Sequence, residues 1–323
     1  MPAKVSGRCL VTGVAGFIGS HLAERLVADG CEVIGADSFT DYYDPAAKER
    51  NVAALCAGKR FTLVREDLEH ADLQELLADV DYVFHQAGQP GVRRSWGRSF
   101  EPYVRRNIVV TQRLLEAAQS APGLRRFVNA SSSSVYGNAT ELPVTESAVP
   151  KPVSPYGVTK LAAEHLATLY AGLNVPTVSL RYFTVYGPRQ RPDMAFNLFL
   201  HALLDGRAIH VNGDGEQTRD FTYVADAVEA NLAAAGAPAD RVVGRTYNIG
   251  GGSRVTVNHA IRVLEETTGR RADVSYEPRQ PGDARDTAAD TSAARADLRF
   301  APRWNLADGL RAEAEWLGAI AGR

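Results

Sequence analysis

Two segments of the sequence carry hydroxyl, phenol and amine side chains at spacings that suit proton transfer. A serine run at 131–134 follows an apolar stretch, and Tyr156 and Lys160 lie four residues apart further along the chain. Residues four apart share one face of a helix, so we expect the phenol and the amine to lie side by side. A neighbouring cation favours a phenolate, which predicts a lowered pKa for Tyr156. Together with a serine hydroxyl, the pair could remove a proton from an alcohol.

The surrounding sequence predicts the elements that would hold these residues. Residues 126–130 read as a buried strand, so the serine run begins where that strand ends, and 161–166 continue a helical pattern after Lys160. In a doubly wound α/β fold, ligands bind at the carboxyl ends of the parallel strands. The sequence therefore predicts an α/β fold with a site at this edge.

A glycine-rich turn near the N-terminus predicts a dinucleotide site. Between a short apolar strand and an amphipathic helix lie three glycines with the spacing G-x-x-G-x-x-G, Gly13, Gly16 and Gly19. Glycines let the backbone approach a pyrophosphate, and the helix N-terminus favours its charge. The next strand ends at Asp37, where a carboxylate would bind the adenosine ribose and repel a 2′-phosphate. We therefore expect NAD rather than NADP.

Composition excludes several other classes of protein. The chain has 323 residues, 45% hydrophobic residues and a formal net charge of −2, which gives no indication of a nucleic-acid-binding surface. No apolar run reaches membrane-spanning length, and residues 1–7 have no signal-peptide core. Cys9, Cys31 and Cys56 lack metal-ligand spacing and fit free thiols in a reducing compartment. We expect a cytoplasmic protein with no bound metal, no membrane association and no nucleic-acid partner.

The serine run, the Tyr-x-x-x-Lys pair and the glycine turn together resemble the short-chain dehydrogenase/reductase superfamily, in its extended branch that modifies sugar nucleotides. The resemblance implies a Rossmann doubly wound parallel sheet with a smaller, interleaved C-terminal lobe. We expect residues 1–180, joined by about 220–250, to form the NAD-binding domain. The nucleotide-sugar-binding lobe would then consist of residues 181–219 and 251–323.

The same resemblance implies roles for individual residues. Ser132, Tyr156 and Lys160 match the catalytic residues of the branch. Besides the motif residues and this Tyr-Lys pair, those expected to contact NAD are Phe17, Ile18, Asp67, Leu68, Gln86, Ala87, Asn107 and Tyr182. A helix at 101–118 and the helix of Tyr156 are the pair through which relatives dimerise as a four-helix bundle, which implies a homodimer. His85 could be catalytic or structural, and we favour a structural role.

In the second half of the chain, the run R-Y-F-x-V-Y-G-P at 181–188 resembles NDP-sugar epimerases, dehydratases and decarboxylases. The resemblance places Asn197 and Arg219 at the diphosphate of a UDP-sugar and Asp283 at its nucleoside end. The other residues expected to contact the substrate are Arg93, Ser132, Ser133, Ser134, Thr184 and Arg191.

The residues after the catalytic serine narrow the reaction. Dehydratases of the branch carry an acidic pair there and decarboxylases a nearby glutamate, whereas this chain has Ser133 and Ser134. The hypothesis is therefore a 4-epimerase. Tyr156, as a phenolate stabilised by Lys160 and the nicotinamide charge, would take the C4 hydroxyl proton while hydride passes to NAD and Ser132 holds the oxygen. The 4-keto sugar would then rotate and take the hydride back on its other face.

Three further runs resemble the signatures of UDP-glucuronate 4-epimerases: R-P-D-M-A from Arg191, Q-P-G-D at 280–283 and D-Y-Y-D-P at 41–45. Arg191, with Thr184 as a hydroxyl donor, would pin the C6 carboxylate and hinder loss of CO₂ from the β-keto acid. Alternatively, Arg191 contacts a phosphate or a neighbouring acid. We expect UDP-glucuronate as the substrate. A UDP-glucose or UDP-N-acetylglucosamine 4-epimerase, a UDP-glucuronate decarboxylase and an NAD-binding regulator without activity stay open.

Overall fold

The computed structural model describes residues 4–320. Residues 1–3 and 321–323 lie outside the described residues. The first three belong to the segment in which the sequence predicts no signal peptide, and the last three to the predicted substrate lobe. No helix within residues 4–320 is long and apolar enough to cross a membrane.

Seven parallel strands of the described chain form the central sheet. Numbered along the chain and given in spatial order, they are β10 (Thr246–Ile249), β6 (Thr177–Tyr182), β5 (Arg126–Ser132), β4 (Tyr82–His85), β1 (Arg8–Thr12), β2 (Glu32–Ala36) and β3 (Phe61–Val64). The order β3-β2-β1-β4-β5-β6 is the doubly wound Rossmann arrangement, which confirms the predicted fold class. It brings the ends of β1, β2, β4 and β5 to one edge.

Helices cover both faces of this sheet. The helices of the described residues are α1 (Phe17–Ala28), α2 (Pro45–Cys56), α3 (Leu73–Leu77), α4 (Glu101–Tyr103), α5 (Val110–Gln119), α6 (Pro155–Ala171), α7 (Ala195–Asp205), α8 (Val224–Gly236), α9 (Ala239–Val242), α10 (Val257–Thr268) and α11 (Leu306–Ile320). Some of them, α7, α10 and α11 among them, pack instead against the smaller sheets described below. The side chains of β1 alternate between the two layers, as a pleated strand requires. Cys9 and Val11 belong to the core shared with α1 and α8, and Leu10 to the core shared with α5.

The predicted helix at 101–118 is interrupted. α4 continues into a π-helical turn, Val104–Val109, before α5 begins. Such turns insert one extra residue into the helix and are frequent at functional sites. Here the turn contains Asn107, which is 1% exposed. The insertion is a tertiary effect that hydrophobic periodicity does not reveal.

Two small sheets lie outside the central one in the described chain. One contains β11 (Ser253–Thr256), β9 (Thr218–Tyr223) and β7 (Val185–Tyr186), and the other β12 (Val274–Glu277) and β8 (Ile209–Asn212). β10 lies in sequence between β7, β8 and β9 on one side and β11 and β12 on the other, yet it pairs with β6 in the central sheet. The chain therefore crosses between the two parts more than once.

A buried ion pair fixes α6 on the central sheet. Glu164 of α6 receives Arg181 Nε at 2.9 Å and Nη2 at 2.5 Å, and both side chains are at most 6% exposed. The Ser131 hydroxyl donates to the same carboxylate at 2.6 Å, and Tyr136 contacts the guanidinium. At the start of α6, the Ser154 hydroxyl accepts from Gly157 N, and Pro155 occupies the first turn. The helix is thus capped at its start and fixed along its length.

Glu164→Ala should destabilise the protein because it leaves Arg181 as a buried charge without its partner. Breaking a buried pair of this kind costs roughly 3–5 kcal/mol. Urea unfolding monitored by circular dichroism measures the change. The matched control is Glu49→Ala, which removes the exposed pair with Arg65 and should leave the unfolding midpoint near that of the wild type. Equal midpoints for the two variants would contradict this account of α6.

Candidate active site

A cavity of about 1200 Å³, part of it open solvent, lies at the carboxyl edge of the central sheet. Nearly all of the residues predicted to contact NAD line it: Gly13, Gly16, Phe17, Ile18, Gly19, Asp37, Asp67, Leu68, Gln86, Ala87, Tyr156, Lys160 and Tyr182. The structure therefore brings together residues from the ends of β1, β2, β4 and β6 with two residues of α6.

The glycine turn between β1 and α1 leaves room only for backbone. Gly13 has φ +68°, and a Cβ there would lie 2.8 Å from the backbone nitrogen of Ala87. A Cβ on Gly19 would lie 2.2 Å from the carbonyl oxygen of Gly13. Asp37 holds the same turn, because its carboxylate accepts from Ala15 N at 3.1 Å. This turn, the start of α1 and a carboxylate at the end of β2 fit a dinucleotide.

Asn107 lies behind the cavity wall. Its side-chain oxygen accepts from Gln89 N at 2.7 Å, and its amide nitrogen donates to Gln89 O at 3.1 Å and to Thr159 Oγ1 at 3.0 Å. It thereby joins the loop after β4 to α6. Among the residues predicted to contact NAD, it is the one that does not line the cavity, because its amide is used to brace two elements.

His85 ends β4 beneath the cavity and is bonded on both ring nitrogens. Nδ1 lies 2.8 Å from Thr12 Oγ1 and Nε2 lies 3.0 Å from Thr111 Oγ1. Burial, aided by the charge of Lys160, lowers the pKa of His85 to about 3. A histidine so bonded and so hard to protonate serves as a structural link between β1, β4 and α5.

Tyr156 and Lys160 face the cavity from the first turns of α6. Lys160 Nζ donates to the carbonyl oxygen of Ala130 at 2.8 Å, and burial lowers the pKa of Lys160 to about 8. The Tyr156 ring contacts Tyr103 edge-on, with centroids 6.3 Å apart. The phenol of Tyr156 therefore shares one wall of the site with an amine that loses its proton more easily than an exposed lysine does.

The prediction that the pKa of Tyr156 is lowered is wrong. Burial raises the pKa of Tyr156, while hydrogen bonding with Ser132 and the charge of Arg191 act in the opposite direction. The sequence indicates the nearby amine but not the depth at which the phenol lies. Desolvation penalises the phenolate more than these two neighbours favour it.

Arg191 lines the cavity, but its guanidinium has a partner. Nε donates to Asp193 Oδ1 at 3.0 Å and Nη2 to Asp193 Oδ2 at 3.3 Å. The sequence left a phosphate and a neighbouring acid open as alternatives to the sugar carboxylate as the partner of Arg191. The structure shows the neighbouring acid, Asp193. The pKa of Asp193 is lowered: burial would raise it, but the charge of Arg191 and the hydrogen bonds from Arg191 and Tyr42 together outweigh burial.

A second group of candidate substrate residues lies together in the lobe region. Arg93 Nη2 contacts Asp283 Oδ2 at 2.8 Å. Arg219 Nη1 donates to the carbonyl oxygens of Thr218 and Arg285. Burial lowers the pKa of Arg219, with the charges of Asp283 and Arg93 acting on it in opposite directions. The structure thus unites Arg93, Arg219 and Asp283, although they are distant in sequence.

The other candidates hold local structure. Ser133 and Ser134 begin a 3₁₀ turn, in which Ser134 N donates to Ser132 Oγ at 3.1 Å. Thr184 O accepts from Thr222 N at 2.9 Å between β7 and β9. Asn197 Nδ2 donates to Gln190 O at 3.0 Å at the start of α7. None of these four lines the cavity within the described residues.

Sequence reasoning missed several cavity residues. Tyr42, Tyr43 and Lys48 follow β2, and Arg106 lies in the π-helical turn. Tyr42 and Tyr43 belong to the D-Y-Y-D-P run, which signalled a substrate class but no role. Within residues 4–320, no group of His, Cys, Asp and Glu is arranged to hold a metal ion.

Acid should destabilise the protein through His85. Its pKa is lowered from 6.5 to about 3, so the unfolded chain binds the proton that the folded chain refuses. Stability is fully present above pH 6.5 and is lost as the pH falls toward 3. Such a site gives a slope of about 1.4 kcal/mol per pH unit. In His85→Gln the unfolding free energy, measured in urea between pH 6 and 4, should depend less steeply on pH by about that amount. An unchanged slope, or an equal change in the exposed control His259→Gln, would contradict this role.

Comparisons with known proteins agree with this geometry. A model of the NAD dependent epimerase/dehydratase family matches residues 9–250. The uncharacterised UDP-glucose epimerase YtcB of Bacillus subtilis (strain 168) is 44% identical, over 97% of this chain and 98% of that protein. A probable UDP-glucuronate 4-epimerase of Rhizobium meliloti (strain 1021) is 37% identical, over 96% of each chain.

A solved structure extends the likeness to three dimensions. The crystal structure of UDP-glucuronic acid 4-epimerase from Bacillus cereus, in complex with UDP-glucuronic acid and NAD, is 43% identical with a TM-score of 0.94. The alignment covers 97% of this chain and 99% of that one. The protein belongs to the NAD dependent epimerase/dehydratase family.

Proposed function

We propose that this protein is an NAD-dependent 4-epimerase that converts UDP-glucuronate to UDP-galacturonate. The observation that carries the proposal is that Tyr156 and Arg191 line one cavity. A phenol suited to the C4 hydroxyl and a guanidinium suited to the C6 carboxylate therefore face the same space. The likeness to the B. cereus enzyme, crystallised with UDP-glucuronic acid and NAD, supports the substrate.

The cavity residues divide the binding of NAD among them. Gly13, Gly16 and Gly19 with the start of α1 would hold the pyrophosphate, and Asp37 the adenosine ribose. Asp67, Leu68, Gln86, Ala87 and Tyr182 would line the remainder, together with Phe17 and Ile18. When bound, NAD supplies the hydride acceptor for C4 and the donor that returns it.

Three side chains handle the proton and the oxygen at C4. Tyr156 takes the hydroxyl proton at its phenolic oxygen and returns it at the end of the cycle. Ser132, whose hydroxyl counteracts the effect of burial on the pKa of that phenol, holds the sugar oxygen. Lys160, fixed by the Ala130 carbonyl, adds positive charge when protonated and so favours the phenolate. Such acid–base catalysis contributes on the order of 10²–10⁴-fold to the rate.

No second acid or base is needed for epimerisation. Ser133 and Ser134 stand where an acidic pair would serve an elimination. The remaining chemistry is oxidation at C4, rotation of the 4-keto sugar and reduction on its other face. Arg93, Asn197, Arg219 and Asp283 would hold the nucleoside diphosphate during that rotation.

Arg191 also protects the 4-keto sugar. A 4-keto glucuronate is a β-keto acid, which loses CO₂ when its C5–C6 bond lies perpendicular to the ketone plane. A guanidinium that pins the carboxylate, with Thr184 as a further donor, hinders the bond from reaching that geometry. The same contact selects a uronate over a neutral hexose.

A second candidate is a UDP-glucose 4-epimerase. It is favoured by the ion pair between Arg191 and Asp193, which neutralises the guanidinium before any substrate arrives, and YtcB is named as a UDP-glucose epimerase. UDP-N-acetylglucosamine epimerase, UDP-glucuronate decarboxylase and a regulator without activity are outcomes that the assay below distinguishes.

We further propose that the protein is a cytoplasmic homodimer formed through α5 and α6. Val158 and Leu169 of α6 are 48% and 62% exposed, and Val109 at the start of α5 is 39% exposed. Apolar side chains spaced along one helix face suit a bundle with a second copy. We also propose a division into two parts. The NAD-binding part consists of residues 1–180 with about 220–250, and the sugar-nucleotide part consists of residues 181–219 and 251–323.

Tyr156→Phe should abolish nearly all turnover, because the ring stays and the proton acceptor is lost. Incubation with UDP-glucuronate, UDP-glucose and UDP-N-acetylglucosamine, each followed by NMR for inversion at C4, measures activity and substrate together. The exposed Tyr276→Phe is the control. The proposal is wrong if Tyr156→Phe turns over like the wild type, or if the wild type inverts none of the three. Loss of CO₂ from UDP-glucuronate as the main reaction would identify a decarboxylase.

Arg191→Gln should lower kcat/KM for UDP-glucuronate on the order of 10²-fold, since truncating a buried charge partner costs about 2–5 kcal/mol. UDP-glucose carries no carboxylate, so its kcat/KM, or its inhibition constant if it is not turned over, should change far less. Steady-state kinetics with both nucleotide sugars measure the difference, and Arg311→Gln on the surface is the control. Equal changes for both sugars would remove the uronate assignment.

A further inference from the structure

Two loops are joined by a chain of polar contacts beside the cavity. The Tyr42 hydroxyl, from the loop after β2, donates to Asp193 Oδ2 at 2.9 Å. The carboxylate of Asp193 also accepts hydrogen bonds from both Nε and Nη2 of Arg191. Tyr42 and Arg191 both line the cavity, and Asp193 lies between them. The guanidinium is thus tied to the NAD-binding half of the molecule through one carboxylate.

The position of the Tyr42 hydroxyl is itself tightly defined. Gly91, in the loop after β4, has φ +98°, and a Cβ there would lie 2.2 Å from Tyr42 Oη. Arg94 from the same loop lies over the Tyr42 ring, 5.0 Å from its centroid. The phenol is therefore bounded by Gly91, Arg94 and Asp193 from two separate loops.

Asp193 determines which edge of the Arg191 guanidinium is available. A guanidinium has two edges that can grip a carboxylate with two parallel bonds, Nε with Nη2 and Nη1 with Nη2. Asp193 occupies the first. A substrate carboxylate is left with the Nη1–Nη2 edge, in a plane that Asp193 has already fixed.

Resting on the proposed function, we propose that Asp193 and Tyr42 are positioning residues that orient Arg191 toward the C6 carboxylate of the 4-keto sugar. Asp193 fixes the plane of the guanidinium, and the Tyr42 hydroxyl fixes Asp193. Arg191 would contact the substrate directly, whereas Asp193 and Tyr42 act only through Arg191. Their main effect falls on the fate of the 4-keto sugar and less on binding of the nucleotide.

The chemistry explains why orientation matters beyond charge. In the unwanted reaction the C5–C6 bond breaks and its electron pair passes into the enolate of the C4 ketone. CO₂ leaves, and C5 takes a proton from water, which gives a 4-keto pentose. The bond can break only when it lies perpendicular to the ketone plane. A guanidinium that rotates freely still neutralises the carboxylate but no longer prevents that geometry.

The test compares Asp193→Asn and Tyr42→Phe with two matched controls. Tyr247, Asp297 and Arg245 form a similar trio away from the cavity, with Asp297 Oδ2 2.9 Å from Tyr247 Oη and 3.0 Å from Arg245 Nη1. Asp297→Asn and Tyr247→Phe therefore remove the same kinds of bond elsewhere. Each variant is assayed for kcat with UDP-glucuronate, for products that have lost CO₂ and for the inhibition constant of UDP.

In Asp193→Asn we expect kcat for UDP-glucuronate to fall about tenfold or more, as misplacement of a positioned group does, with decarboxylated product appearing. Tyr42→Phe should shift both in the same direction by less. The inhibition constant of UDP should stay within about twofold, because the nucleotide contacts are untouched. Both controls should behave like the wild type.

Wild-type kcat without decarboxylated product in both Asp193→Asn and Tyr42→Phe would overturn the inference. So would a weakening of UDP binding that matches the loss of kcat, since that indicates general disruption of the site. If Arg191→Gln loses activity while these two variants do not, the inference fails and the proposed function stands. If the wild type does not epimerise UDP-glucuronate, both fail.

Discussion

The attachment of α6 to the end of β5 is the constraint on which the site depends. Tyr156, Lys160 and Glu164 are each four residues apart and form one stripe along the helix. Lys160 donates to the Ala130 carbonyl, and Glu164 binds Ser131 and Arg181 in the buried layer below. The structural and chemical residues of α6 thus share one face. A rotation of the helix that moved the phenol would also break a buried ion pair.

Burial also sets the electrostatics of that face. It lowers the pKa of Lys160 and raises that of Tyr156, so both groups are held closer to neutrality than in water. Positive charge near the phenol then has a large effect, because little solvent screens it. The charge of Arg191 already acts in this direction. The pKa values of Tyr156 and Lys160 therefore respond strongly to any cation or anion that enters the site.

The loop between β7 and α7 carries Arg191 and is joined to the dinucleotide half at several points. His21 of α1 contacts the Pro188 carbonyl at 2.9 Å, and Glu24, one turn later, binds Arg189 at 2.6 Å. From the other side, Glu313 of α11 accepts from Gly187 N at 2.9 Å. The loop is consequently anchored to the helix that follows the glycine turn, which ties the sugar end of the site to the cofactor end.

The sequence by itself determined the features that depend on local pattern. The turn at Gly13, Gly16 and Gly19, the Asp37 carboxylate after β2 and the shared face of Tyr156 and Lys160 follow from turn chemistry and helical period. Through the family resemblance that these features carry, the sequence also implied the Rossmann fold with its NAD-binding edge. Tertiary structure decided what depends on surroundings: the raised pKa of Tyr156, the π-helical turn around Asn107, and the tie of Arg191 through Asp193 to Tyr42. Burial depth and contacts between distant loops arise only when the whole chain is assembled, because desolvation and partner geometry are properties of neighbours that sequence spacing does not specify.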